Sequence, residues 1–188
     1  MGSAVRSTLV DTETLARHVG DPRLVIVDVR HTLADPERWG ESEFAKGHLP
    51  GAVFAYVDRD LSAPKTGRNG RHPLPTPEAT AEVFGRLGID PSSQVVAYDQ
   101  DNGMYAARLW WMLRWLGHEA VAVLDGGYAQ WIREGHPVET TMLRPARARF
   151  TPRAVLPTVS ATGIAASLPR HALLLLDARG AERYRGET

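Results

Sequence analysis

Short apolar runs alternate with stretches of helical period through the first 138 residues. Leu24 to Val27, Ala52 to Ala55, Val95 to Tyr98 and Ala120 to Leu124 read as strands, and their unbroken apolar character suits a parallel sheet covered on both faces. Asp11 or Thr12 can cap a short helix over Leu15, Ala16 and Val19 that ends near Gly20. Thr76 as N-cap, Pro77 at the first helical position, Glu78 in the first turn and Gly88 after Leu87 bracket another. From Leu109, the residues Met112, Leu113 and Leu116 follow at i+3, i+4 and i+7, and Trp111 with Trp115 adds a second apolar row, which predicts a helix buried on most sides. A further helix runs through Trp131 and stops at Gly135 and Pro137. Strands alternating with helices at this spacing predict one α/β domain over residues 1–138, a parallel sheet with helices on both faces.

The pattern then breaks and restarts. Residues 139–158 interleave Pro145, Pro152 and Pro157 with Arg144, Arg147, Arg149 and Arg153 and read as an extended linker stiffened by proline. Beyond it Leu173-Leu174-Leu175-Leu176-Asp177-Ala178-Arg179 echoes Leu24-Val25-Ile26-Val27-Asp28-Val29-Arg30 at a shift of 149 residues, 28 to 177. At the same shift Val10, Leu15 and Val19 meet Val159, Ile164 and Leu168, and with a four-residue gap Glu37-Arg38-Trp39 meets Glu182-Arg183-Tyr184. Residues 159–188 are therefore expected to open a second copy of the domain that stops after one helix and one strand. A lone strand of leucines cannot satisfy its backbone or bury both faces, so the remainder of that copy is expected as a partner, from the same gene or a companion chain.

Charge and cysteine usage narrow the chemistry. The 22 basic and 22 acidic residues cancel, which leaves no general field for nucleic acid or an anionic membrane, and the four linker arginines lack the interleaved aromatics of a nucleic-acid surface. No apolar run approaches the ~20 residues of a membrane span, and the opening residues lack the apolar core of a secretory leader. A cytoplasmic protein is expected. There is no cysteine, which excludes disulfides, thiolate metal sites and a cysteine nucleophile in these residues. The seven histidines (His18, His31, His48, His72, His118, His136 and His171) show no paired metal-ligand spacing and read mostly as surface or loop residues; no metal and no cofactor is called for.

Three places hold candidate chemistry. Asp99-Gln100-Asp101-Asn102-Gly103 follows a buried strand and precedes a helix, where open α/β sheets bind ligands, yet its carboxylates suit a helix cap better than an anion site. Asp28 and Arg30 close the first long strand and read as a structural pair that fixes where the chain leaves the sheet, and His48 in Gly47-His48-Leu49-Pro50-Gly51-Ala52 reads as a turn brace. From Tyr56 to Thr76 runs a long loop without a periodic apolar face; such loops are often functional, and this one holds Asp58 and His72.

The motifs VDVR at Val27 to Arg30, GHLPGA at Gly47 to Ala52, YDQDNGMYAARLWWMLRWLGH at Tyr98 to His118, LDGGYAQW at Leu124 to Trp131 and LDARGAERYRGE at Leu176 to Glu187 resemble the tandem-domain rhodaneses, the thiosulfate and 3-mercaptopyruvate sulfurtransferases, over nearly the whole chain. The resemblance implies a rhodanese-like α/β fold in tandem with the second copy cut short, an inactive first domain with Asp99 where the active copy has its cysteine, and a monomer when complete. It implies a small anionic sulfur donor, a cysteine persulfide formed in the second domain, and a thiophilic acceptor such as cyanide. Arg183 matches the family's substrate-anion arginine, and Asp58 and His72 match loop residues that in some mercaptopyruvate enzymes approach the active site from the first domain. A noncatalytic rhodanese-like binding or regulatory module is the alternative. A phosphatase of the same fold would need a cysteine framing a phosphate loop, and Asp99 stands against it.

Overall fold

The computed structural model describes residues 5–170 and 173–187, so His171 and the first four residues, on which part of the reading of the N-terminus rests, lie outside it. The chain divides into two compact units, residues 1–156 and 157–188. In the first unit β1 (Leu9–Val10), β2 (Leu24–Asp28), β3 (Ala52–Phe54), β4 (Gln94–Tyr98) and β5 (Val121–Leu124) form a sheet of order β1-β5-β4-β2-β3 in which every pairing is parallel. Its helices are α1 (Thr12–Ala16), α2 (Trp39–Lys46), α3 (Pro77–Arg86), α4 (Ala106–Trp115) and α5 (Gly127–Arg133).

The two faces of the sheet build two cores, because successive strand side chains point to opposite sides. Val27, Val53, Val95, Ala97, Val121 and Val123 pack against Phe84 of α3 and Leu109, Met112 and Leu113 of α4. Ile26, Ala52, Val96, Tyr98, Ala122 and Leu124 pack on the other side against Leu15, Phe44 and Trp131 of α1, α2 and α5. The caps are those the sequence predicts: Asp11 accepts from the Thr14 N–H at 2.7 Å, and Thr76 Oγ1 from the Ala79 N–H at 3.2 Å.

Two expectations hold with detail added, and two, on the linker and on the second copy's strand, are corrected. α4 is buried on most sides, as expected, and its exposed stripe is Ala107 and Trp111, the latter keeping 39% of its surface while stacking on Trp115. His31, His48 and His118 lie in loops and turns, as expected, and are buried there. Residues 140–156 carry no helix or strand, yet they lie on the first unit: Phe150 is buried edge-on to Phe84, the Ala148 N–H donates to Gly85 O, and the Arg153 and Leu156 N–H groups donate to Leu116 O and Trp115 O. In the second unit the expected helix forms as α6 (Ala161–Ser167), capped by Ser160, and α7 (Ala181–Tyr184) follows a short 3-10 turn, but Leu173 to Leu176 form no ladder among the described residues and are exposed. An extended segment becomes a strand only through a neighbour's N–H and C=O groups.

The VDVR motif ties the first unit together at the end of β2. Asp28, fully buried, accepts from the Arg30 N–H (2.8 Å), Arg30 Nε (2.9 Å) and the Tyr98 hydroxyl of β4 (2.7 Å). Arg30 Nη2 donates to Gly47 O at 2.7 Å, and its guanidinium lies 4.0 Å over the Tyr128 ring. Burial pushes the Asp28 carboxyl up, opposed by the guanidinium and its hydrogen bonds, whereas Asp28 more than offsets the effect of burial on Arg30 and holds it charged. His48 braces the next turn as expected, its Nδ1 2.7 Å from Phe44 O and its Nε2 3.2 Å from Thr141 O.

Removing one partner of such a pair strands the other charge, so Arg30→Ala is expected to lose about 3–5 kcal/mol in urea denaturation; a loss under about 1 kcal/mol would place the pair among surface salt bridges. Acid is expected to weaken the fold through His118, whose pKa burial holds below 6.5. The unfolded chain takes up that proton at the ordinary value, so the stabilisation is complete above pH 6.5 and is lost as pH falls below it. His118→Asn should flatten that part of the stability–pH curve.

Candidate functional site

At the carboxyl end of β4 the chain makes a loop whose backbone N–H groups converge before α4. Asp99 fills that cradle. Its Oδ1 accepts from the N–H groups of Asp101 (3.2 Å) and Gly103 (2.9 Å), and its Oδ2 from Tyr105 (2.8 Å) and Ala106 (3.2 Å). The side chain sits at the positive end of α4 and is 2% exposed as a residue. From below, Gly127 closes on the loop with φ +56°, and a Cβ there would meet Asp99 O at 2.7 Å; the Tyr128 and Ala129 N–H groups donate to Asp99 O and Gln100 O at 2.9 and 2.8 Å. The acidic loop is thus a self-satisfied structure: a place built for an anion holds the protein's own carboxylate and offers no nucleophile.

A second constellation stands at the same end of the sheet. The long loop after β3 is anchored by a residue the sequence pattern leaves unmarked, Arg108 of α4, whose Nε donates to Leu61 O at 2.8 Å and whose Nη2 donates to His72 O at 3.1 Å and Pro73 O at 3.2 Å. This clamp, with the Ser62 hydroxyl on Val57 O at 2.7 Å, holds Asp58 and His72 together: Asp58 Oδ1 lies 2.9 Å from His72 Nε2, an approach whose angle falls short of an aligned hydrogen bond. Lys65 Nζ donates to Asp58 Oδ2 at 3.3 Å. His31, just beyond the Asp28–Arg30 pair, forms the floor, 7% exposed, with its ring edge-on to Tyr105 at 4.8 Å and to His72 at 5.8 Å. Burial lowers the pKa of both His31 and His72, partly opposed by Asp58, and so favours the neutral imidazoles.

The structure therefore brings Asp58 and His72 together, as residues of one loop, and adds His31, which no local spacing singles out. Arg183, the third predicted site residue, lies on α7 of the second unit with an exposed side chain. The neighbouring Asp177 and Arg179 repeat the local geometry of Asp28 and Arg30: the Arg179 N–H and Nε both donate to Asp177 Oδ1 at 2.9 Å.

Removing the internal anion leaves four N–H groups without their acceptor. Asp99→Ala is expected to cost about 1–3 kcal/mol of stability, and tens of millimolar sulfate should raise the Tm of the variant more than that of the parent. Equal sulfate effects on the two proteins would show that the loop does not act as an anion cradle.

The model of the rhodanese-like domain matches residues 11–134. A Pseudomonas aeruginosa protein named "Probable 3-mercaptopyruvate sulfurtransferase" is 42% identical over 95% of this chain and 64% of its own length, and the human 3-mercaptopyruvate sulfurtransferase is 36% identical over 95% and 61%. The crystal structure of SseA from Escherichia coli, described as a 3-mercaptopyruvate sulfotransferase with the rhodanese fold, superposes with a TM-score of 0.81 at 31% identity, over 97% of this chain and 69% of that one. The chain spans a little over three fifths of the length of these two curated relatives. Among its described residues no helix is long and apolar enough to cross a membrane. A parallel sheet of this order, a domain-length match and relatives above 30% identity agree, and the chain belongs to the rhodanese-like domain family.

Proposed function

We propose that this chain is the non-nucleophilic part of a two-domain sulfurtransferase, which moves a sulfane sulfur from 3-mercaptopyruvate or thiosulfate to a thiophilic acceptor such as cyanide. The observation that carries the reading is the Asp99 loop. It keeps the backbone cradle suited to a thiolate or an anion and fills it with a carboxylate, so the reactive sulfur belongs to another loop. In the reaction a cysteine thiolate of the second domain attacks the outer sulfur of the donor. The bond from that sulfur to the rest of the donor breaks, pyruvate enolate or sulfite leaves with the electron pair, and a cysteine persulfide remains. The acceptor then attacks the outer persulfide sulfur and regenerates the thiolate.

Asp58 and His72 are this chain's contribution to the wall of the site. A neutral imidazole beside a carboxylate can take a proton from the thiol and return it to the enolate. Arg183 contributes the guanidinium fork that holds the donor's carboxylate or sulfonate. The remainder of the second domain is the partner that supplies the cysteine, and the complete protein is a monomer acting in the cytoplasm. The alternative, a noncatalytic binding module, is favoured by the absence of cysteine from the whole chain.

A denaturing intact-mass spectrum of the purified protein, with a thiosulfate-to-cyanide and a mercaptopyruvate assay on the same sample, separates the two. Activity is expected only in material that carries a cysteine-containing second domain; turnover by the 20.7 kDa chain alone would overturn the mechanism. In the active protein Arg183→Ala is expected to raise KM for the anionic donor by about tenfold to a hundredfold, the loss of one charge-assisted contact. His72→Ala should lower kcat by about a hundredfold or more, and an unchanged kcat would remove it from proton transfer.

A further inference from the structure

A cavity of about 110 Å3 opens beside α1 at the amino end of the sheet, where β2 begins at Leu24 and β4 at Gln94. The Asp99 loop and the Asp58–His72 pair stand at the carboxyl end of the same parallel strands, so the cavity is no part of the site described above. Its inner wall is apolar: Val10, Leu15 and Val96, each at most 4% exposed, with Leu24 beside them. The rim is charged, and unevenly so. Arg6 and Arg23 line it with one acidic residue, Asp21, whose Oδ1 is in use: it accepts from the Arg23 N–H at 2.9 Å and lies 3.8 Å from Arg23 Nε. His18 is turned back on α1, its Nδ1 2.8 Å from Thr14 O. Arg6 is held by its backbone: its N–H donates to Gln94 Oε1 at 3.0 Å, and Gln94 Nε2 donates back to Arg6 O at 2.9 Å. Its guanidinium has no hydrogen-bond or ion-pair partner among the described residues.

We propose that this cavity binds a short-chain aliphatic monocarboxylate, with the carboxylate on the Arg6 guanidinium and the alkyl chain against Val10, Leu15 and Val96. The sign of the ligand follows from the rim. Two guanidiniums, set against one carboxylate already engaged by Arg23, attract an anion and repel an amine. A carboxylate rather than a neutral head group follows from the planar fork of N–H donors that Arg6 leaves unused. A single charge follows from the wall, since a second ion carried down among Val10, Leu15 and Val96 would lose its water and find no partner there. Length follows from volume. An apolar cavity of about 150 Å3 holds a benzene molecule, and one of about 110 Å3 takes a chain of about four carbons. The frame is preformed: the reciprocal Gln94 bonds tie Arg6 to β4, and Asp11 caps α1, so binding has little chain to order.

The cavity is independent of the sulfur-transfer reading, and its test uses no sulfur chemistry. Sodium pentanoate is the probe, titrated into the full chain and followed by heteronuclear NMR. Saturable shifts at Leu15, Leu24 and Val96 are expected in the millimolar range. Pentanol, with the same tail and no charge, should bind about tenfold more weakly or worse, the worth of one charge-assisted contact, and pentylamine should not bind. Arg6→Gln is expected to bring pentanoate down to the level of pentanol and to leave pentanol unchanged. Ala120→Leu, which fills the cavity from the foot of β5, should abolish binding of both. Should that variant fail to fold, the Arg6→Gln comparison carries the test. No saturation at tens of millimolar pentanoate would overturn the proposal. So would equal affinity for pentanol and pentanoate, or pentanoate shifts confined to Arg144, Arg147 and Arg149, which would put the anion on the exposed arginines of the stretch after α5.

Discussion

The buried Asp28–Arg30 pair is the constraint on which the rest of the first unit depends. A carboxylate and a guanidinium out of reach of water are tolerable only when their remaining hydrogen-bonding capacity is used, and here the partners come from three other elements. Tyr98 brings in the end of β4, Gly47 brings in the turn before β3, and Tyr128 brings in α5. Each belongs to a separate sequence motif, so the motifs are held in register by one polar cluster rather than by independent packing. The pair also decides where residue 31 leaves the sheet, and so puts an imidazole at the floor of the histidine–carboxylate cluster.

Next to that cluster the same fold has resolved a different electrostatic demand. Four backbone N–H groups at the start of α4 ask for an anion, and Asp99 supplies it from within the loop. The loop geometry survives without ligand or nucleophile because a covalently attached carboxylate is always present at its full effective concentration. This explains how a rhodanese-like domain can keep the shape of this loop with no nucleophile in it. The carboxylate–histidine pair of the long loop lies outside the cradle.

Much of this was legible in the residues. Strand positions, the caps at Asp11 and Thr76 and the bracing role of His48 are local properties, written within a few positions of one another, and they stand in the structure where the pattern puts them. What the pattern could not carry was long-range. β1 is two residues long, too short to show a period, and exists only through β5. α2 has no side-chain cap to announce it. Phe150 sits in a proline-rich stretch and is buried because that stretch runs back along α3. His31 lies far along the chain from Asp58 and His72, and the clamp by Arg108, one of two arginines in an otherwise apolar helix, holds the loop beside it.

The second unit separates what a motif does alone from what burial adds. Asp177 and Arg179 close the same ring as Asp28 and Arg30, down to the backbone N–H on the carboxylate, although both are exposed. The two-residue spacing is therefore sufficient for the local geometry. What distinguishes the buried copy is its outer ring of partners, the Tyr98 hydroxyl, the Gly47 carbonyl and the Tyr128 face, none of which the motif contains. An aspartate and an arginine two residues apart thus form a local hook in either unit, and only the strands and turns packed around it make that hook a structural centre.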